Sequence, residues 1–182
     1  MGSKRSVDPV ATRVHDLLTR FGVRVPPVPV DKIAKGLGAQ LRFSPLDQEL
    51  AGMIYISENK PIIGVNSLQH PNRQRFTIAH EIAHLELHGH LISGKVHVDK
   101  DFPVQFAGLN RDATSALGTE KIEVEANRFA AELLMPTEFL IQALTSKPFD
   151  IDDEGPLDEL AKKFRVSRQA LEYRIRNLQT LK

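Results

Sequence analysis

The chain has 182 residues, 41% hydrophobic and 26% charged, with 24 Lys or Arg, 23 Asp or Glu and no Cys. That length suits one ordinary domain with a small appendage, and a formal charge of +1 excludes a global pull toward nucleic acid or membrane. Without Cys there are no disulfides or thiolate metal sites, which is compatible with a cytoplasmic location. No apolar run approaches the ~18 residues of a membrane-spanning helix, and the N-terminus lacks the apolar core of a signal peptide. Met1-Gly2-Ser3-Lys4-Arg5-Ser6 matches the bare N-myristoylation pattern, which is too short to carry weight.

Asp8-Pro9 is a helix start, Asp as the cap and Pro at the first helical position. Val10, Val14, Leu17, Leu18 and Phe21 then recur at helical spacing until Gly22. Pro26-Pro27-Val28-Pro29 is a stiff connector, and Asp31 to Leu37 makes a short second helix closed by Gly36 and Gly38. Ala39 to Phe43, Gly52 to Ser57 and Pro61 to Val65 read as strands, with Glu58-Asn59-Lys60 as a hairpin turn. The strand Gly52 to Ser57 is open to two readings: a core strand, or an edge to which an extended substrate pairs. Asn72 to about Leu87 is a helix, and residues 89–118 are mixed and weakly periodic, long for a structureless loop. Thr119 to Met135 is a strong helix stopped by Pro136, and Thr137 to about Leu144 is another. Residues 147–156 place four acidic residues between Pro148 and Pro156 and read as a linker; Leu157 to Leu181 returns to helix. The order predicts an α+β fold, mostly helical, with a small sheet of about three strands beside the Asn72 helix. Along the chain the division is a main domain at 1–146, a linker at 147–156 and C-terminal helices at 157–182.

The Asn72 helix contains His80-Glu81-Ile82-Ala83-His84. Residues four apart share a helix face, so both imidazoles can bind one metal ion while Glu81 points toward a water on it. Phe76, Ile78, Ala79, Ile82, Ala83 and Leu85 make the helix apolar nearly all round, hence buried. Buried His and Glu need partners, and a metal supplies them. A catalytic zinc keeps three protein ligands and one open position. The third ligand is sought in the Thr119 helix, where Glu123, Ala126, Asn127 and Ala130 share a face. The two Ala residues permit close approach, so Glu123 is preferred as the ligand, with Glu120 or Glu125 the alternatives. Asn127, one turn on, can hydrogen-bond a ligating imidazole. A rival third ligand is His90, ten residues after His80, although that pattern wants Gly at the position of Leu87. His88 shares the face of His84 further from the metal, as a supporting or helix-end residue. His15, His70 and His97 have no ligand spacing.

The residues Asn66, Arg73, Phe76-Thr77, Ala79-His80-Glu81 and His84 resemble the ImmA/IrrE family of zinc metallopeptidase-like proteins. The likeness continues through Glu123, Ala126-Asn127, Phe129-Ala130-Ala131-Glu132-Leu133-Leu134-Met135-Pro136, and Leu160-Ala161, Phe164, Val166-Ser167, Ala170-Leu171 and Arg174. It covers nearly the whole chain and implies a zincin-like peptidase domain followed by helix-turn-helix-like helices. It also implies Zn2+ held by His80, His84 and Glu123, with Glu81 as the catalytic residue. The implied activity is that of an endopeptidase cleaving a helix-turn-helix repressor, relieving repression in the manner of an anti-repressor.

The hydrolysis expected is by zinc-activated water, with Glu81 moving the proton to the leaving amine. Tyr55, His97 and Arg111 are the candidates for stabilising the oxyanion. A second class of function rests on the C-terminal helices. Residues 157–182 carry seven Lys or Arg against three Asp or Glu, a local charge of +4. Ser167 caps the second helix, and Arg168, Gln169, Glu172, Tyr173 and Arg176 are placed to face outward. That pattern suits either a packing module or DNA contact, DNA being the less favoured partner. The alternative is therefore a non-proteolytic regulator that binds DNA or repressor and keeps a structural metal.

Overall fold

The computed structural model describes residues 8–58, 60–92, 96–100, 117–145 and 154–179. In chain order the elements are α1 (Pro9–Arg20), α2 (Val30–Gly36), β1 (Gln40–Ser44), β2 (Leu50–Ser57), β3 (Lys60–Asn66) and α3 (Pro71–Ile92). Then follow β4 (Val96–Lys100), α4 (Leu117–Leu134), α5 (Thr137–Thr145), α6 (Glu154–Phe164) and α7 (Arg168–Gln179). The class is α+β and mostly helical. The chain divides into two compact units, Val30–Ala130, and Met1–Pro29 with Ala131–Lys182.

The Val30–Ala130 unit holds the sheet, in the order β1-β3-β2-β4. β1 runs parallel to β3, while β2 pairs antiparallel with β3 and with β4. Ser57 lies opposite Lys60 across the β2–β3 hairpin, and Glu58 takes φ 51°, the positive value a primed two-residue turn requires at its first central position. Asn59 lies outside the described residues. Along β3, Pro61, Ile63 and Val65 are buried while Ile62 and Gly64 are half-buried, the period of two of a sheet with one covered face. α3 packs on β2 and β3. Asn66, 1% exposed, closes the end of β3: its side chain bonds Leu46, Asp47, Leu50 and Leu68 of the backbone.

Two expectations change here. Four strands are described where about three were expected, because Val96–Lys100 of the weakly periodic stretch becomes a strand by pairing with β2. β2 consequently has neighbours on both sides and is an inner strand, so the substrate-edge reading of Gly52–Ser57 falls.

In the other unit, several helix ends carry their own local signal. The Asp8 side chain accepts from Val10 N at 3.1 Å, and Pro9 opens α1. Gly22, at φ 65°, lets Val23 N reach back to Leu18 O at 2.9 Å. Glu132 accepts from Thr137 N at 2.9 Å and so caps α5, and Arg174 of α7 bonds both Glu132 and Thr137 Oγ1. Phe164, Leu171 and Ile175 are buried at the α6–α7 pair. The linker expected at 147–156 lies outside the described residues up to 153, and Glu154, Gly155 and Pro156 belong to α6. Pro is tolerated there because first-turn N–H groups have no intrahelical acceptor.

Candidate metal centre and active site

The site lies within the Val30–Ala130 unit and is built from one face of α3 and one of α4. From Thr77 to His84 every residue of α3 is buried, so the apolar flanks carry His80, Glu81 and His84 into the interior. His80 is 1% exposed and Glu81 and His84 are fully buried. On α4, Ala126 and Ala130 are fully buried, as close helix approach requires, and Glu123 reaches both imidazoles. Its carboxylate oxygens lie 3.1 Å from His80 Nε2 and 3.4 Å from His84 Nε2. The two Nε2 atoms are 2.9 Å apart.

Those three separations test whether a metal fits. Four ligands at the Zn–N and Zn–O distance of about 2.0 Å form a tetrahedron with edges of about 3.3 Å. The observed edges of 2.9, 3.1 and 3.4 Å bracket that value. His80, His84 and Glu123 form a group that could hold a divalent ion, the one such group of three found among the described residues. Asn127 Oδ1 stands 3.0 Å from His80 Nδ1. With the amide oxygen accepting, His80 carries its proton on Nδ1 and turns the Nε2 lone pair toward Glu123.

Of the alternatives for the third position, Glu120 is exposed. Glu125 faces His88 instead, its carboxylate 3.8 Å from His88 Nε2. α3 continues helical through Leu87 and Gly89 to Ile92, so the chain does not swing back at Leu87, and His90 is exposed outside the group. His88 is 5% exposed, and burial pushes its pKa below the ordinary value, partly opposed by the Glu125 carboxylate and a backbone hydrogen bond to Ile122.

Tyr55 is not at the site. Ile54 and Ile56 are buried on the covered face of β2, and Tyr55 alternates to the other face. There, with Arg42, Met53 and Ile62, it lines a hollow of about 310 Å³. His97 lies opposite Ile54 in the β2–β4 register, and Arg111 lies outside the described residues.

Sequence reasoning missed Gly52. A Cβ added there would sit 2.3 Å from Thr77 Cγ2, 2.8 Å from the Gly64 carbonyl oxygen and 3.4 Å from Glu81 Oε1. Only a residue without a side chain lets β2 pass this close to the turn of α3 that bears Glu81. The available signal was a glycine inside a strand pattern, which marks close backbone approach.

Residues 34–176 match the family model described as IrrE N-terminal-like domain, peptidase M78. The chain is 31% identical over 166 residues to the radiation response metalloprotease IrrE of Deinococcus deserti, covering 88% of this chain and 51% of that protein. The corresponding protein of Deinococcus radiodurans is also 31% identical over 166 residues, 88% of this chain and 44% of its own length. The chain thus spans about half the length of these relatives. A solved Mycobacterium tuberculosis transcriptional regulator shares the fold, with a TM-score of 0.59 at 20% identity over 89% of this chain and 44% of that one.

Proposed function

This chain belongs to the IrrE N-terminal-like domain family, and from that membership we propose that it is a zinc-dependent endopeptidase that cleaves a helix-turn-helix repressor and so relieves transcriptional repression. The observation that carries the reading is the convergence of His80, His84 and Glu123 at 2.9–3.4 Å in a buried setting. In this reading the two histidines and Glu123 hold the ion, and Asn127 fixes the His80 tautomer. When bound, zinc supplies Lewis acidity, bringing water ionisation to near pH 7 and polarising the scissile carbonyl. Glu81 accepts the water's proton and returns it to the leaving amine. Full burial keeps its carboxyl where a proton transfer is not short-circuited by bulk water. Among the described residues no helix is long and apolar enough to cross a membrane, and a DNA-bound repressor as substrate implies action in the cytoplasm.

The test is Glu81→Gln. Gln keeps the shape and hydrogen-bonding capacity but cannot act as a base. Zinc content and fold should survive, while repressor cleavage followed by mass spectrometry falls by roughly 10² or more. A wild-type protein that leaves the repressor intact with every metal tried, yet still relieves repression, overturns the peptidase reading. It would leave a regulator that binds its partner without cutting it.

A further inference from the structure

His88 stands one helical turn beyond His84 on α3, its ring centroid 5.7 Å from that of His84. It is 5% exposed, and among the described residues its Nε2 has no hydrogen-bond partner. The other side of the ring is engaged: the Ile122 backbone hydrogen-bonds it. With Nε2 unpartnered, Nδ1 is the atom that donates to the Ile122 carbonyl, and Nε2 is left as a lone pair. The Glu125 carboxylate faces it at 3.8 Å. Two electron-pair donors therefore oppose each other across a gap too long for a hydrogen bond.

His80 is dressed the same way. Its Nδ1 is fixed by Asn127 and its Nε2 faces Glu123. An imidazole whose far nitrogen donates to a carbonyl, with a carboxylate opposite the near one, is the usual setting of a metal-ligating histidine. We propose that His88 Nε2 and the Glu125 carboxylate form a second, weaker site for a divalent transition-metal ion, one turn along α3 from the first. A separation of 3.8 Å needs only a slight closing to meet the ~3.3 Å ligand edge of an ion with bonds of about 2.0 Å. The Glu125 side chain is 40% exposed, so water completes the coordination and the affinity is the lower of the two. Imidazole with carboxylate selects zinc, cobalt or nickel over calcium and magnesium. An ion held there would cross-link α3 to α4 beside Glu123.

The site does not depend on hydrolysis, so it is tested by metal binding alone. Chelator-stripped protein is titrated with Zn2+ by calorimetry and with Co2+ by absorbance, with circular dichroism as the check on folding. Wild type should take up two equivalents, one tight and one weak. His88→Gln and Glu125→Gln should each lose the weak equivalent and keep the tight one. His80→Gln should lose the tight one and keep the weak one. Saturation of wild type at one equivalent, or two equivalents retained by Glu125→Gln, overturns the proposal. Should His88→Gln disturb the fold, Glu125→Gln, at a partly exposed position, decides.

Discussion

The α3–α4 face and the α6–α7 pair handle their polar groups in opposite ways. On α3 and α4, His80, His84 and Glu123 turn donor atoms toward one another in a buried space, where only a cation or proton reconciles them. At the C-terminal helices two arginines are matched within the protein. Arg174 is held by Glu132 and Thr137, and Arg168 by Glu172 at 2.7 Å, with Asp158 at 3.9 Å. Donors aimed at one point, two of them buried imidazoles, leave room for a ligand; cations already paired to carboxylates do not. On α7, Gln169, Tyr173 and Arg176 are exposed. The difference is one of pairing: the first region gathers donors that could hold a metal ion, and the second matches Arg168 and Arg174 to carboxylates.

The comparison is broken most directly at Glu123. Glu123→Ala removes one of three donors, and zinc content after dialysis should drop below measurable occupancy while the far-ultraviolet spectrum is kept. Unchanged zinc affinity in that variant would remove Glu123 from the site. Asn127→Ala is milder. The ligands stay, but His80 loses the partner that fixes its tautomer, so zinc affinity by competition with a chromophoric chelator should weaken by roughly 10–100-fold. No change would mean that the 3.0 Å contact does not orient the ring.

The C-terminal region should answer in stability rather than metal affinity. Arg174→Met strips the cationic partner from a Glu132 side chain that is 12% exposed and leaves it the Thr137 contacts, and denaturant unfolding should show a loss of roughly 1–3 kcal/mol with zinc affinity unaltered. A zinc affinity that moved with it would erase the distinction between the regions. The smallest effect is Ser167→Ala. Its hydroxyl accepts from Ala170 N at 3.2 Å at the start of α7, and loss of such a cap costs about 1 kcal/mol. Salt-dependent DNA binding that disappears on changing Gln169 or Arg176 would instead favour the DNA reading of this face.

What the sequence determined by itself was everything governed by local geometry. The four-residue spacing put His80 and His84 on one face of one helix, and the apolar flanks buried it. Asp8-Pro9 and Gly22 bounded α1, and Ser167 began α7, because caps act within a few residues of themselves. Tertiary structure alone decided which of three α4 glutamates meets the histidines. Helical periodicity narrows the choice to a face, but contact between residues as far apart as His80 and Asn127, 47 positions, depends on how α4 is laid against α3. The fourth strand was hidden for the same reason. Val96–Lys100 has too short a pattern to announce itself and exists through its hydrogen bonds to β2. Those bonds also made β2 an inner strand, and the passage of β2 under Thr77 and Glu81 turned Gly52 from an unremarked glycine into a steric requirement. Local periodicity fixes directions along an element; only the packing of elements fixes which of those directions meet.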